Sequence, residues 1–314
     1  MRKLGRYLLV ERLGAGSFAT VWKAYDPELD TDVAVKVLAE NWAANADVRE
    51  RFLAEARLLR KIASPRVVRV HDVGVQEDRP YFVMDYVRGG TLADRVGHCD
   101  PQEALRLAAE AGYAVHVLHE AGVVHRDVKP SNLLLAAGPG PARVLVADLG
   151  SAKQLADASG LTVTTGTPAY MAPEQAFQTG GFDGRADVYA LAVVAYELLT
   201  GQKPFGPGGR ATALMTDQPT ASTLPALPAG TELPPHVALL LRAAMSIEPA
   251  DRPATAQAFA DALLTPLPQP QAQAQAQATE PELPQRSRQL SLRAVCLASG
   301  AVFTATTLLS WLYR

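Results

Sequence analysis

His125-Arg126-Asp127-Val128-Lys129-Pro130-Ser131-Asn132 is the stretch that decides how this chain is read. From Asp127 to Asn132 it sets out an acid, a lysine and an amide oxygen, with Pro130 stiffening the turn between them. Moving a phosphoryl group off a nucleotide needs three things: a group that accepts a hydroxyl proton, a cation near the phosphate in transit, and a ligand for magnesium. Asp127, Lys129 and Asn132 fit those jobs in order.

Downstream come Asp148-Leu149-Gly150 and then Ala172-Pro173-Glu174. The ordered set resembles the eukaryotic-like (Hanks-type) protein kinase family, in its bacterial serine/threonine branch. The resemblance covers residues 7 to 264. It implies an α+β, bilobal protein-kinase fold, with a small β-rich N-lobe over residues 1–87, a larger α-helical C-lobe over 88–264, and ATP between them. The implied reaction transfers the γ-phosphoryl group of ATP-Mg2+ (or Mn2+) to a protein serine or threonine.

Composition sets bounds without naming a function. The chain has 314 residues, 48% of them hydrophobic, enough for a sizeable core. A net charge of −2 gives no pull toward nucleic acid, and none is expected as a partner. The two cysteines, Cys99 and Cys296, read as free thiols in a reducing compartment. Met1-Arg2-Lys3-Leu4 turns polar at once, so no signal peptide is expected.

Residues 7 to 40 alternate like strands, as do Val67 to Val75 and Tyr81 to Val87. Residues 48 to 62 and 103 to 120 carry helical spacing. Ala186 to Leu199 is apolar nearly all round, the pattern of a helix buried in a domain centre. Residues 265–293 are rich in Pro, Gln and Ala and read as a linker that builds no core. Ala294 to Tyr313 then runs 20 residues without a charge, about 30 Å as a helix, the thickness of a bilayer core. Residues 294–313 are therefore expected to form a C-terminal transmembrane helix. Arg286, Arg288 and Arg293 precede it, which puts the kinase on the cytoplasmic side of the inner (cell) membrane. Gly300 and Thr304 offer small residues for a homodimer of spans. With the sequence ending at Arg314, the expected signal comes from a partner, the lipid or the span itself.

Leu13-Gly14-Ala15-Gly16-Ser17-Phe18-Ala19-Thr20-Val21 is a glycine-rich loop in which backbone N–H groups can approach phosphate. Gly14, Gly16 and Ala19 also match a dinucleotide fingerprint, but that pattern must open a helix, and Asp26-Pro27 stops the segment first. No Gly-Lys-Ser/Thr follows, which excludes a P-loop. Ala19 stands where the kinase family usually has a third glycine.

Lys36 closes the strand-like Val33-Ala34-Val35-Lys36, and an exposed strand lysine is the commoner fate of such a residue. Glu55 argues otherwise. It falls on the apolar seam Val48, Phe52, Glu55, Leu59, Ile62, where an unpaired charge is costly. The resemblance makes Lys36 its partner and the holder of the α- and β-phosphates. It also implies that Met84 backs the adenine pocket and that Asp85 to Val87 form the hinge. Val21, Ala34 and Leu134 would then sandwich the ring, although ordinary core packing explains such apolar residues equally well.

By the same resemblance Asp127 is the base, with Asn132 and Asp148 as magnesium ligands offering hard oxygens. Leu149 is a frequent replacement for the usual Phe. Lys129 and Thr167 mark the serine/threonine branch. Glu174 is expected to pair with Arg252, and Asp187 to cap the loop backbone. Arg126 is expected to read a phosphate placed by autophosphorylation on Thr162, Thr164 or Thr165. One rival reading is a catalytically silent, membrane-tethered scaffold, which the presence of Lys36, Asp127, Asn132 and Asp148 opposes. Another is a kinase for small molecules such as aminoglycosides, which Thr167 and Ala172-Pro173-Glu174 oppose.

Overall fold

The computed structural model describes residues 3–138, 140–149, 168–177, 183–215 and 233–265. The chain divides into two units, residues 1–267 and 268–314. The second unit, with the expected span, lies outside the described residues, as do Gly150, the segment 151–165, Thr167 and residues 266–293. Among the described residues no helix is long and apolar enough to cross a membrane.

The N-terminal lobe is a sheet built from β1 (Lys3–Leu4), β2 (Tyr7–Ala15), β3 (Ala19–Asp26), β4 (Thr31–Leu38), β5 (Val70–Gln76) and β6 (Arg79–Asp85). The spatial order is β1-β2-β3-β4-β6-β5, with antiparallel pairing throughout. Central β4 is buried from Val33 to Leu38 on both faces, which is why it reads as an apolar run. One face carries Tyr7, Val33, Val35, Val37, Tyr81 and Val83 as a separate apolar cluster. The other packs on α2 (Ala46–Lys61), preceded by the short α1 (Glu40–Ala43). Helix α2 starts at Ala46, two residues before the apolar seam, because the Asn45 side chain accepts from Val48 N at 3.0 Å. The seam residues Val48, Phe52 and Leu59 are buried, and Phe52 meets Phe82 of β6 with ring centroids 5.0 Å apart.

The C-terminal lobe is helical around α3 (Pro101–Glu120), with the β7 (Leu133–Ala136) and β8 (Arg143–Val146) hairpin at its upper edge. Asp100 caps α3 by accepting from Glu103 N at 2.9 Å, and Pro101 takes the first helical position. Further helices are α4 (Pro173–Phe177), α5 (Arg185–Thr200), α6 (Gly209–Met215), α7 (Pro235–Ala244) and α8 (Ala256–Leu264). Helix α5 is buried continuously from Ala186 to Leu198, as an all-round apolar helix must be. Gly112 of α3 permits close contact with α8, because a Cβ there would lie 2.9 Å from Ala260 Cβ and 3.0 Å from Ala256 O. Cys99 is a free thiol donating to Arg95 O at 3.4 Å.

Candidate active site

A cleft of about 840 Å³ is lined by both lobes. Its roof is the hairpin between β2 and β3, closed by a Gly16 N–H to Ala19 O bond of 2.9 Å. Leu13, Gly14, Ala15, Gly16, Ser17, Phe18, Ala19 and Val21 all line it. Thr20 is not among the lining residues. Side chains alternate along a strand. Thr20 pairs with Val37 and so shares the outer face with Trp22, while Ala19 and Val21 pack inward. Ala19 is buried and lacks a positive φ, so a methyl fits where the family has glycine.

Lys36 stands on β4 opposite Val21 and Phe82. Its Nζ donates to Glu55 Oε1 at 2.7 Å and also to Asp148 Oδ1. The ammonium lies 5.4 Å from the Phe82 ring centroid and 5.9 Å from that of Phe52, within cation–π reach. Burial alone would push the Lys36 amine down. The carboxylates of Asp148 and Glu55 outweigh it and hold the amine above its ordinary value. For Asp148, burial would raise the carboxyl, but the Lys36 charge and hydrogen bond win and hold it below the usual range.

Asp127 follows α3, in a loop whose shape is set from α5. The buried carboxylate of Asp187 accepts from His125 N and Arg126 N, each at 2.8 Å, and lies 2.8 Å from His119 Nε2. Lys129 Nζ and Asn132 Nδ2 both donate to Asp127 Oδ2, at 2.9 and 3.0 Å. Asn132 also donates to Asp127 O at 2.9 Å, which leaves its carbonyl oxygen as a metal donor. Asp148 leaves the end of β8 into the same cleft. A carboxylate and an amide oxygen, both hard donors lining one cleft, fit magnesium, which completes its shell with phosphate and water.

Two features were invisible in the sequence. Arg126 and Asp148 adopt φ of +68° and +62°, a left-handed conformation costing about 1–3 kcal/mol each, and neither is glycine. Asp187 and Lys36 are the partners that hold them there.

At the end where adenine is expected, Val21, Ala34, Met84 and Leu134 line the cleft, as do the hinge residues Asp85, Tyr86 and Val87 and, unforeseen, Thr91 and Asp94. Asp85 spends its N–H on Arg69 O at 3.0 Å, and its side chain on Arg69 N and His71. Among the described residues the Val87 backbone N–H and C=O make no hydrogen bond, so both are open to a ligand. Asp94 is engaged in a capping box with Thr91. The Thr-x-x-Asp spacing could have signalled that turn. Gly89 is required beneath the hinge, where a Cβ would meet Leu135 O at 2.0 Å.

Away from the cleft, Glu174 and Arg252 pair through both oxygens and both terminal nitrogens, at 2.6 and 2.8 Å. His125 and Leu149 are buried.

Comparison with known proteins identifies the family. The protein kinase domain family matches residues 7–264. Serine/threonine-protein kinase Pkn1 of Myxococcus xanthus is 39% identical over 274 residues, spanning 83% of this chain and 38% of that protein. PknB of Mycobacterium leprae is 41% identical over 210 residues, spanning 64% and 33%. PknJ of Mycobacterium tuberculosis is 38% identical over 269 residues, spanning 82% and 44%. The chain thus spans less than half the length of each of these relatives. The crystal structure of the Mycobacterium tuberculosis PknI kinase domain superposes with a TM-score of 0.61 at 28% identity, covering 83% of this chain and 96% of that one. The chain belongs to the protein kinase family, among the bacterial Hanks-type serine/threonine kinases.

Proposed function

We propose that this protein is a serine/threonine protein kinase that transfers the γ-phosphoryl group of ATP to a hydroxyl of a protein substrate. The observation that carries this reading is the convergence of Lys36, Asp127, Asn132 and Asp148 on one cleft beneath a glycine-rich hairpin. Lys36, braced by Glu55, binds the α- and β-phosphates. Asp127 orients the substrate hydroxyl in line with the γ-phosphate and accepts its proton as the new O–P bond forms and the bond to ADP breaks. Lys129, on the same carboxylate, places its cation beside the phosphate in transit. Magnesium, when bound, neutralises phosphate charge, and Asn132 and Asp148 would hold it. The silent-scaffold alternative gains nothing from this arrangement, since each group the chemistry requires is present.

The test is incubation of the full chain with ATP, Mg2+ and a generic basic protein. Phosphate on serine or threonine is expected with the wild type, and at least about a hundredfold slower transfer with Asp127→Asn. Equal transfer by the two proteins removes the assignment of the base.

Three further elements of the reading rest on sequence. The residues at 294–313 anchor the protein in the cell membrane with the kinase on the cytoplasmic side. Small residues in that span permit a homodimer. Phosphorylation of Thr162, Thr164 or Thr165 activates the enzyme by pairing with Arg126.

A further inference from the structure

The tip of the glycine-rich hairpin is not held by the hairpin alone. Phe18 is 7% exposed, whereas its neighbours from Leu13 to Ser17 are open to solvent. Its ring stacks on Trp42 of α1, with centroids 5.0 Å apart and planes 27° from parallel. The Trp42 indole Nε1–H donates to Ser17 O at 2.9 Å, and Ala39 N–H donates to Phe18 O at 2.8 Å. Helix α1 is the bridge between β4, which carries Lys36, and α2, which carries Glu55. One indole therefore ties the roof of the cleft to the segment that joins the two members of its ion pair.

We propose that Trp42 is a positioning residue for the nucleotide: it latches Ser17 and Phe18 so that the hairpin's backbone N–H groups are set over the triphosphate. This rests on reading the cleft as the ATP site. A hairpin tip released from Trp42 must be ordered by the ligand itself, and that ordering entropy is lost from affinity. The loss falls on nucleotide binding more than on the proton-accepting groups of the C-terminal lobe. The indole lies beside the loop, so its emission also senses occupancy.

The test uses the full chain. Trp42→Ala removes both the stack and the donor, while Trp42→Phe keeps a stacking ring and loses only the N–H. The KM for ATP is expected to rise about three- to thirtyfold in Trp42→Ala and by a smaller factor in Trp42→Phe. The fall in kcat should be smaller than the rise in KM, and the KM for the protein substrate should stay put. If Trp42→Ala fails to fold, Trp42→Phe alone decides. In a Trp22→Phe, Trp311→Phe background, which leaves Trp42 as the sole indole, ATP-Mg2+ should change the emission saturably. An unchanged KM for ATP in both variants, with wild-type transfer intact, overturns the latch and leaves the kinase reading standing. A wild type that neither binds nor uses ATP overturns both.

Discussion

Asp187 accepts the backbone N–H of Arg126 at 2.8 Å across 61 residues of sequence, and through that bond the buried α5 helix sets the shape of the loop that presents Asp127. The same carboxylate takes His125 N–H and faces His119 Nε2, so three hydrogen bonds converge on one buried side chain. Replacing Asp187 by Ala leaves the buried His125 N–H without its acceptor, at about 1–3 kcal/mol, and the part-buried Arg126 N–H as well. The expected outcome is a lowered unfolding midpoint together with a kcat reduced at least about tenfold, while the KM for ATP moves less. Kinetics alongside urea titration check both.

Asp127→Asn keeps the shape of the side chain and abolishes proton acceptance. Turnover should drop by about 10²–10⁴, with ATP affinity, read by calorimetry, nearly unchanged. A large loss of ATP affinity would instead place Asp127 in nucleotide binding.

Glu174 and Arg252 form a buried two-pronged pair, and the guanidinium also donates to Ser246 O and Ile247 O, each at 2.9 Å. Glu174→Ala strands a buried charge and should cost about 3–5 kcal/mol of unfolding free energy. The urea midpoint at neutral pH measures it. A loss of less than about 1 kcal/mol, the range of an exposed pair, contradicts the burial of this one.

The Asp148 carboxyl is depressed in the folded state, so its pairing with Lys36 contributes stability above the ordinary carboxylate value and loses it as pH falls through the lower folded value. Asp148→Asn removes this dependence. The variant should be less stable than the wild type at neutral pH, and the gap should narrow on acidification below the ordinary carboxylate range. Paired urea titrations across that range read the gap. For Lys36 the sign is opposite: its raised value makes its contribution complete below the ordinary lysine value and lost only at strongly alkaline pH.

The full chain should sediment with membranes and resist alkaline carbonate, while a fragment ending at residue 264 should stay in the supernatant. Release of the full chain by carbonate argues for surface attachment in place of a span.

Chemistry-bearing residues were legible in order along the chain because phosphoryl transfer admits few side chains at each job: an acid at 127, an amide at 132, an acid at 148. Glu55 was legible because a charge on an apolar seam demands a partner. Helix α2 began before its seam, since Asn45 acts through a side-chain cap and not through periodicity. Which side chains of the glycine-rich stretch turn toward the cleft was not legible, because a motif names a loop, whereas strand alternation sets Ala19 and Val21 on one face and Thr20 on the other.

What the amino-acid order determined by itself was the kinase family, the two-lobed plan and the identity of the groups that meet in the cleft. What only the folded chain decided was how those groups are held: Lys36 shared between two carboxylates, Asp127 gripped by Lys129 and Asn132, and Arg126 and Asp148 kept at positive φ. The reason is physical. Residue type sets what a group can donate or accept, but a hydrogen bond forms only within a few tenths of an ångström of its ideal length, and only the packing of distant elements brings atoms that close.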